Sequence, residues 1–413
     1  MIKRDILTQL REHLLQKEIT MIVGPRQAGK TTLMATLKEE LDNKGEETIL
    51  LNLDRDADKP YFEDQITLLN YLKLRFDNKK AYVFIDEIQR KENTGLFLKG
   101  LYDENLPYKF IVSGSGSIEL KEKIHESLAG RKRIFEVNTI SFKEFVNYET
   151  NYEFENKLLD FFKNDKIRPE QLLNKYLQFG GYPRVITAET LEDKTRTIQE
   201  IYTSYIEKDI RDLLNVQKSE SFTNLVTILA SQIGQMTVHS ELSSTLNLDI
   251  ETVNNYVWYL KKTFILKKTA PFFKNVRKEL TKTPIYYFND LGLRNYALNR
   301  FNSFNLMLEG GFLFQNLVAL LLKQDDTLGK TKLSYWRTKG GAEMDFILTS
   351  GVDTTPIEVK FKDIKKTEIS KSIKSYISEY KPKELLIVNK SFEEEMDIEG
   401  TKVKFMPYYK LVV

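Results

Sequence analysis

Residues 19–32 read ITMIVGPRQAGKTT, and this stretch decides the fold of the N-terminal part of the chain. Ile19 to Val23 is a short apolar run that suits a buried parallel strand. Gly24-Pro25-Arg26-Gln27-Ala28-Gly29-Lys30-Thr31 follows at once as a GxxxxGK[ST] pattern, and Thr32 to Leu41 supplies a helix behind it. Glycines let backbone N–H groups curl round phosphate oxygens without Cβ clashes, and the helix N-terminus adds donors and a favourable dipole. The pattern therefore predicts a nucleotide site built from Gly24 through Thr32, with Lys30 reaching the β and γ phosphates of ATP and Thr31 ligating Mg²⁺.

Ala81 to Glu87, AYVFIDE, is a second apolar strand, and it ends in two acids. At such a strand end an Asp holds Mg²⁺ through water and a following Glu polarises the attacking water, which assigns these roles to Asp86 and Glu87. Glu47 to Leu53 is another strand, and Phe110 to Val112 leads into Ser113-Gly114-Ser115-Gly116-Ser117. Ser113 or Ser115 is placed to sense the γ-phosphate, and Ser115 is carried forward as the catalytic choice. Arg133 to Val137 supplies a fifth strand, closing a parallel sheet with helices on both faces. Arg131, just before it, is the first choice for an arginine contacting nucleotide, within its own subunit or from a neighbour.

The composition narrows the chemistry. The 413 residues carry 62 Lys+Arg against 59 Asp+Glu, no cysteine and three histidines, His13, His125 and His239, far apart in sequence. Disulfides, thiolate zinc sites and cysteine nucleophiles are excluded, and zinc hydrolysis and Ser-His-Asp chemistry are poor fits. At roughly 150 residues per domain the length predicts two or three domains. Phe312 to Leu322, the longest greasy stretch, is interrupted by Gln315 and Asn316 and reaches about half of the ~20 residues a membrane span needs. The start shows no apolar run of the signal-peptide kind, so a cytoplasmic protein without membrane association is expected.

After Phe142 to Phe145 the chain turns helical, with Gly180-Gly181-Tyr182-Pro183-Arg184 as its clearest break and Arg184 as a lid arginine that reaches phosphates. From Phe222 to Leu266 the pattern runs helix, short helix, helix, the rhythm of a winged helix-turn-helix. The wing would follow in the basic stretch Lys261 to Lys282, which holds Lys267, Lys268, Lys274, Arg277 and Lys278 against the single acid Glu279. Such a wing, with Phe272 and Phe273 interleaved, can grip a phosphate backbone, so DNA is an expected partner, beside the alternative of a protein partner.

In the C-terminal third, Gly341-Ala342-Glu343-Met344-Asp345-Phe346 and Pro356-Ile357-Glu358-Val359-Lys360 form two strands with the pattern of a PD-(D/E)xK nuclease core. The two-residue period of a strand puts Glu358 and Lys360 on one face. Asp345 and Glu358 would then share a divalent metal while Lys360 orients water or stabilises phosphoryl charge.

Together these residues resemble a large prokaryotic family of AAA-like ATP-binding proteins whose C-terminal half is a domain of unknown function with a nuclease-like core. The resemblance covers most of the chain and rests on Gly24 to Thr32, Phe84 to Gln89 (FIDEIQ), Ser113 to Ser117, Ser127 to Arg131 (SLAGR), Gly180 to Arg184 (GGYPR), Tyr287 to Asn295 (YFNDLGLRN), EMDFIL and PIEVK. It implies ATP binding, hydrolysis and a winged helix in the middle. The family tends to carry an acid and an asparagine in the helix beginning near Gly310, where this chain has Gln315-Asn316, with Glu309 nearby.

The expected architecture is α/β, with a P-loop ATPase domain over 1–145, a helical lid or linker over 146–215, a winged helix over 216–285 and a nuclease-like domain over 286–413. The leading function is an Mg-dependent ATPase that works as a nucleotide-driven switch. The alternatives are a DNA nuclease gated by ATP, and a scaffold that binds ATP without turnover.

Overall fold

The computed structural model describes residues 2–115, 128–210, 219–272, 283–302, 306–324 and 330–412. Two compact units divide the chain, Met1–Ile140 with Trp258–Ile265, and Ser141–Val257 with Leu266–Val413.

The first unit is built on five parallel strands, β1 (Ile19–Gly24), β2 (Glu47–Asn52), β3 (Ala81–Asp86), β4 (Tyr108–Ser115) and β5 (Lys132–Glu136), in the order β2-β3-β4-β1-β5. Every residue of β1 and β3 is buried, as continuous apolar runs covered on both faces must be. Alternation along these strands sends Met21, Val23, Val83 and Ile85 to one core and Ile22, Tyr82 and Phe84 to the other. Helices α1 (Ile6–His13) and α2 (Lys30–Asp42) cover the second face with Leu10, Leu33 and Leu37. Helices α3 (Gln65–Phe76) and α4 (Thr94–Asp103) cover the first with Leu68, Leu72, Phe97 and Leu101. The parallel sheet and its two helical layers are those expected from the sequence.

The second unit opens with the helix Phe142–Glu149, started by a capping box in which Ser141 and Glu144 bond each other's backbone N–H. It closes with an eight-stranded mixed sheet: β6 (Leu266–Pro271), β7 (Ile285–Phe288), β8 (Thr331–Arg337), β9 (Glu343–Ser350), β10 (Asp353–Lys360), β11 (Glu384–Asn389), β12 (Glu394–Ile398) and β13 (Thr401–Pro407), in the order β12-β13-β11-β10-β9-β8-β6-β7. The strands flanking the expected wing, β6 and β7, pair antiparallel, and β6 also pairs parallel with β8 through Ala270–Ser334 and Pro271–Tyr335. The helix Lys371–Tyr380 packs Ile373, Tyr376 and Ile377 against Trp336, Ile347, Leu385 and Phe405 of the sheet.

Two motifs interlock inside this unit. The helix Arg168–Phe179 ends at Gly180, whose φ of +72° favours glycine, and a Cβ there would lie 2.4 Å from Asp290 Oδ1. Asp290 caps the helix Leu291–Ala297 by accepting from Leu293 N at 2.9 Å, and its other oxygen accepts from Gly181 N at 2.7 Å. Asn295 Nδ2 donates to the carbonyls of Leu177 and Gln178 at 2.9 and 2.8 Å, satisfying the end of the preceding helix. The glycine pair read as a break thus serves as a close helix-to-helix contact.

Among the described residues no helix is long and apolar enough to cross a membrane.

Candidate functional site

Because β1, β3 and β4 are parallel, their C-terminal ends gather at one edge of the sheet, with β4 between β1 and β3. The loop Pro25–Gly29 leaves β1 there and feeds α2. Gly24 is irreplaceable by approach, since a Cβ on it would meet the Val137 carbonyl oxygen at 2.0 Å. Gln27 stands at φ +58° and Gly29 at +94°, so the loop curls before α2 presents its first-turn N–H groups.

Lys30 is buried, and its Nζ donates to the carbonyls of Gly24 at 3.1 Å and Pro25 at 2.8 Å. Burial pushes its pKa down to about 8, opposed by the charges of Glu87 and Asp86 and deepened by Arg26. Thr31 Oγ1 donates to Asp86 Oδ2 at 2.8 Å. The other Asp86 oxygen accepts from Ser113 Oγ and from Glu87 N, the latter at 3.0 Å. Glu87 follows at φ +56°, and its Oε2 accepts from Gln89 Nε2. Lys30, Thr31, Asp86, Glu87 and Ser113 therefore converge on one edge.

This donor set fits MgATP. A hydroxyl and a carboxylate already in contact are the hard oxygen ligands that Mg²⁺ takes, and a buried ammonium with helix N–H groups suits phosphate oxygens.

Other expected residues fall elsewhere. The backbone of Ser115 pairs opposite Gly24, whereas its side chain lies outside the described part of the structure, as do Ser117 and Ser127. Arg131 sits at the far edge of the sheet: its carbonyl accepts from Ile19 N at the start of β1, and its guanidinium bonds Asp103 at 2.8 and 3.4 Å. A parallel strand five residues long separates that edge from the loop, so within its own unit Arg131 does not reach the phosphate site. Arg184, in the second unit, is exposed and pairs with Glu200 at 3.0 Å. Arg26 and Gln27 are half-buried, Ala28 is buried and Thr32 is exposed.

Arg4 went unnoticed in the sequence. Its guanidinium donates to Ala28 O at 2.9 Å and to Asn138 O at 2.7 Å, tying the phosphate loop to the segment after β5. The only hint was a charged residue just before an amphipathic helix.

The C-terminal carboxylates also come together. Asp345 Oδ2 accepts from Val359 N at 2.7 Å, and Oδ1 accepts from Gln315 Nε2 at 2.7 Å. Glu358 is buried and bonds Lys360 Nζ. Burial, then the neighbouring Glu358 carboxylate, raises the Asp345 pKa above its ordinary range, and burial raises that of Glu358 against the pull of Lys360. Glu309 is turned elsewhere, held by Arg294 and Arg300 at 2.5 Å each. Asn316 bonds both the N–H and the carbonyl of Phe288, at 2.9 and 2.8 Å. Among the described residues no group of three or more His, Asp or Glu is arranged to hold a metal. Where the resemblance leads one to expect an acid, an amide from Gln315 meets Asp345.

Around the expected winged helix, the helices Ser219–Ser231, His239–Leu246 and Ile250–Lys262 precede β6 and β7, and Met236 bridges to Ile285. Lys274, Arg277, Lys278 and Lys282 of the basic stretch, with Phe273 and Glu279, lie outside the described residues.

Comparison with known proteins agrees with the first unit's geometry. Residues 16–146 match the family model described as an AAA domain, while 170–303 and 310–411 match domains of unknown function, DUF8612 and DUF4143. An uncharacterized protein of Mycobacterium tuberculosis is 26% identical over 396 residues, 94% of this chain and 79% of that protein. One of Haemophilus influenzae is 24% identical over 98% of this chain and 97% of its own length, and one of Methanocaldococcus jannaschii is 25% identical over 99% and 90%. Among solved structures the chain is similar to the replication initiator DnaA bound to AMPPCP and single-stranded DNA, with a TM-score of 0.28 and 16% identity over 73% of this chain and 96% of that one. It is similar also to Cdc6p of Pyrobaculum aerophilum, with a TM-score of 0.29 and 8% identity over 73% and 95%. The AAA-domain match and the phosphate-loop geometry together support a nucleotide-binding P-loop ATPase domain in the N-terminal part of this chain.

Proposed function

We propose that this protein is an Mg-dependent ATPase that works as a nucleotide-driven switch. The observation that carries the reading is the convergence of Thr31 and Ser113 on the two oxygens of Asp86, beside the buried ammonium of Lys30. Bound Mg²⁺ would supply charge neutralisation at the β and γ phosphates, held by Thr31 and Asp86. Gly24 to Thr32 bind and orient the phosphates, Lys30 contributes the fixed positive charge, and Glu87 takes up a proton from water. Ser113, buried and bonded to Asp86, fits the γ-phosphate-sensing place. Arg131 belongs to this proposal only as a group offered to a neighbouring subunit.

The proposal keeps the division into an ATPase domain over 1–145, a helical linker over 146–215, a winged helix over 216–285 and a nuclease-like domain over 286–413. The three helices followed by the β6–β7 pair support the winged-helix part, and Lys267 and Lys268 on β6 support DNA as its partner.

Phosphate release from MgATP, with and without duplex DNA, tests the reading. Turnover that disappears in Lys30→Ala, and in Glu87→Gln with ATP still bound, sustains it. A wild type that binds ATP and never releases phosphate leaves the scaffold instead. A second reading, the ATP-gated nuclease, draws on the meeting of Asp345, Glu358 and Lys360 on neighbouring strands. We rank it below the first because Gln315 occupies the place of an acid.

A further inference from the structure

We infer that Gln89 is the positioning residue of this site, holding the Glu87 carboxylate in its working direction; the inference rests on the ATPase reading above. Glu87 is the first residue beyond the buried β3, and its backbone sits at φ +56°, a region sparsely populated by residues other than glycine. A conformation of this kind persists only where its surroundings over-determine it.

The backbone of the turn is fixed. Glu87 N donates to Asp86 Oδ1 at 3.0 Å, and Ile88 is fully buried in the core that also holds Ile85 and Phe97. Thr94 Oγ1 donates to the carbonyls of Ile88 and Lys91 at 3.2 and 2.5 Å, and Arg90 N closes the turn onto Glu87 O at 3.0 Å. These contacts fix where the Glu87 side chain starts and not where it ends.

The half-buried Gln89 amide supplies the second half by donating from Nε2 to Glu87 Oε2. An amide suits this task because it orients a carboxylate without adding charge, leaving the other oxygen able to accept from water. Glu87 also has a competing attraction, since its charge and that of Lys30 act on each other across the site. A carboxylate drawn onto Lys30 would neutralise the charge meant for phosphate and lose its aim at water. Gln89 holds it away from that pairing.

The test uses the whole chain and three proteins, wild type, Gln89→Ala and Gln89→Glu. In Gln89→Ala, kcat for ATP is expected to fall about ten-fold or more with KM little changed, because misdirection of a group by a fraction of an ångström is enough to do this. In Gln89→Glu, which keeps the shape and loses the N–H donor, kcat is expected to fall as in Gln89→Ala with KM little changed. Thermal unfolding checks that both variants are folded at the assay temperature. A fall in melting temperature with kcat unmoved overturns the positioning role and leaves the ATPase reading standing. Absence of turnover in the wild type, with ATP bound, overturns both.

Discussion

Thr31 and Asp86 are separated by 55 residues, and Thr31 Oγ1 donates to Asp86 Oδ2 at 2.8 Å. Asp86 is buried and accepts three donors in all, two hydroxyls and the Glu87 N–H, so an asparagine there would turn an N–H₂ group toward one of them. Asp86→Asn should lower MgATP turnover about 100-fold and raise the Mg²⁺ concentration for half-maximal rate, read from phosphate release against Mg²⁺.

The lowered Lys30 pKa gives ATP affinity a pH dependence of definite sign. The ammonium is the binding form, and its fraction in the free protein falls as pH rises through about 8. Apparent affinity for ATP should therefore weaken about ten-fold between pH 7 and pH 9, as the competent fraction does. Lys30→Arg, which stays charged, should flatten that dependence in fluorescent-nucleotide titrations. The linked effect on folding runs the other way. The unfolded chain binds the extra proton between about pH 8 and the ordinary lysine value, so this group's contribution to stability rises with pH through that window, by about 3 kcal/mol in full.

The glycine interlock of the second unit is sensitive to one methyl group. A Cβ on Gly292 would lie 2.1 Å from the Phe179 carbonyl oxygen, a backbone atom with little freedom to retreat. Gly292→Ala should cost about 3 kcal/mol, seen as a lower urea midpoint. Gly311→Ala is the control, since a Cβ there meets nothing within 4 Å.

At the C-terminal carboxylates, Gln315→Glu would put a third acid where Gln315 Nε2 now donates to Asp345. Manganese titration followed by thermal unfolding should show no stabilisation of the wild type at submillimolar metal and a rise in melting temperature for Gln315→Glu. Stabilisation of the wild type that vanishes in Asp345→Ala would instead establish a metal site in the chain as it stands.

The N-terminal P-loop domain was legible because its signals are local. Gly24, Lys30, Thr31 and Asp86 all lie where a continuous apolar run meets a turn, and a parallel sheet gathers such strand ends at one edge. Ser113, one of the two serines read as a γ-phosphate sensor, is buried and bonded to Asp86. Whether Arg131 serves its own subunit or a neighbour was not legible, because a motif just before a strand reads alike whether that strand end faces the nucleotide or the opposite edge; the pairing of Ile19 with Lys132 supplies the difference. Arg4 and Gln89 act through hydrogen bonds to loops and a turn, which leave no periodicity. Gly180 and Asp290 meet across more than a hundred residues, so the glycines announced a special backbone without naming their neighbour.

The continuous sheet from β7 to β12 bears on how this protein can be taken apart. A chain cut near residue 290 would strip β6 of its pairing with β8 and part Tyr335 Oη from Thr283 O, which it now bonds at 2.5 Å. It would also release Phe288, whose N–H and carbonyl are both held by Asn316. Each fragment would carry an open strand edge into solvent, the usual invitation to aggregation. The β6–β7 pair and the acid-bearing strands β9 and β10 thus depend on one another, and moving either alone into another protein would forfeit both.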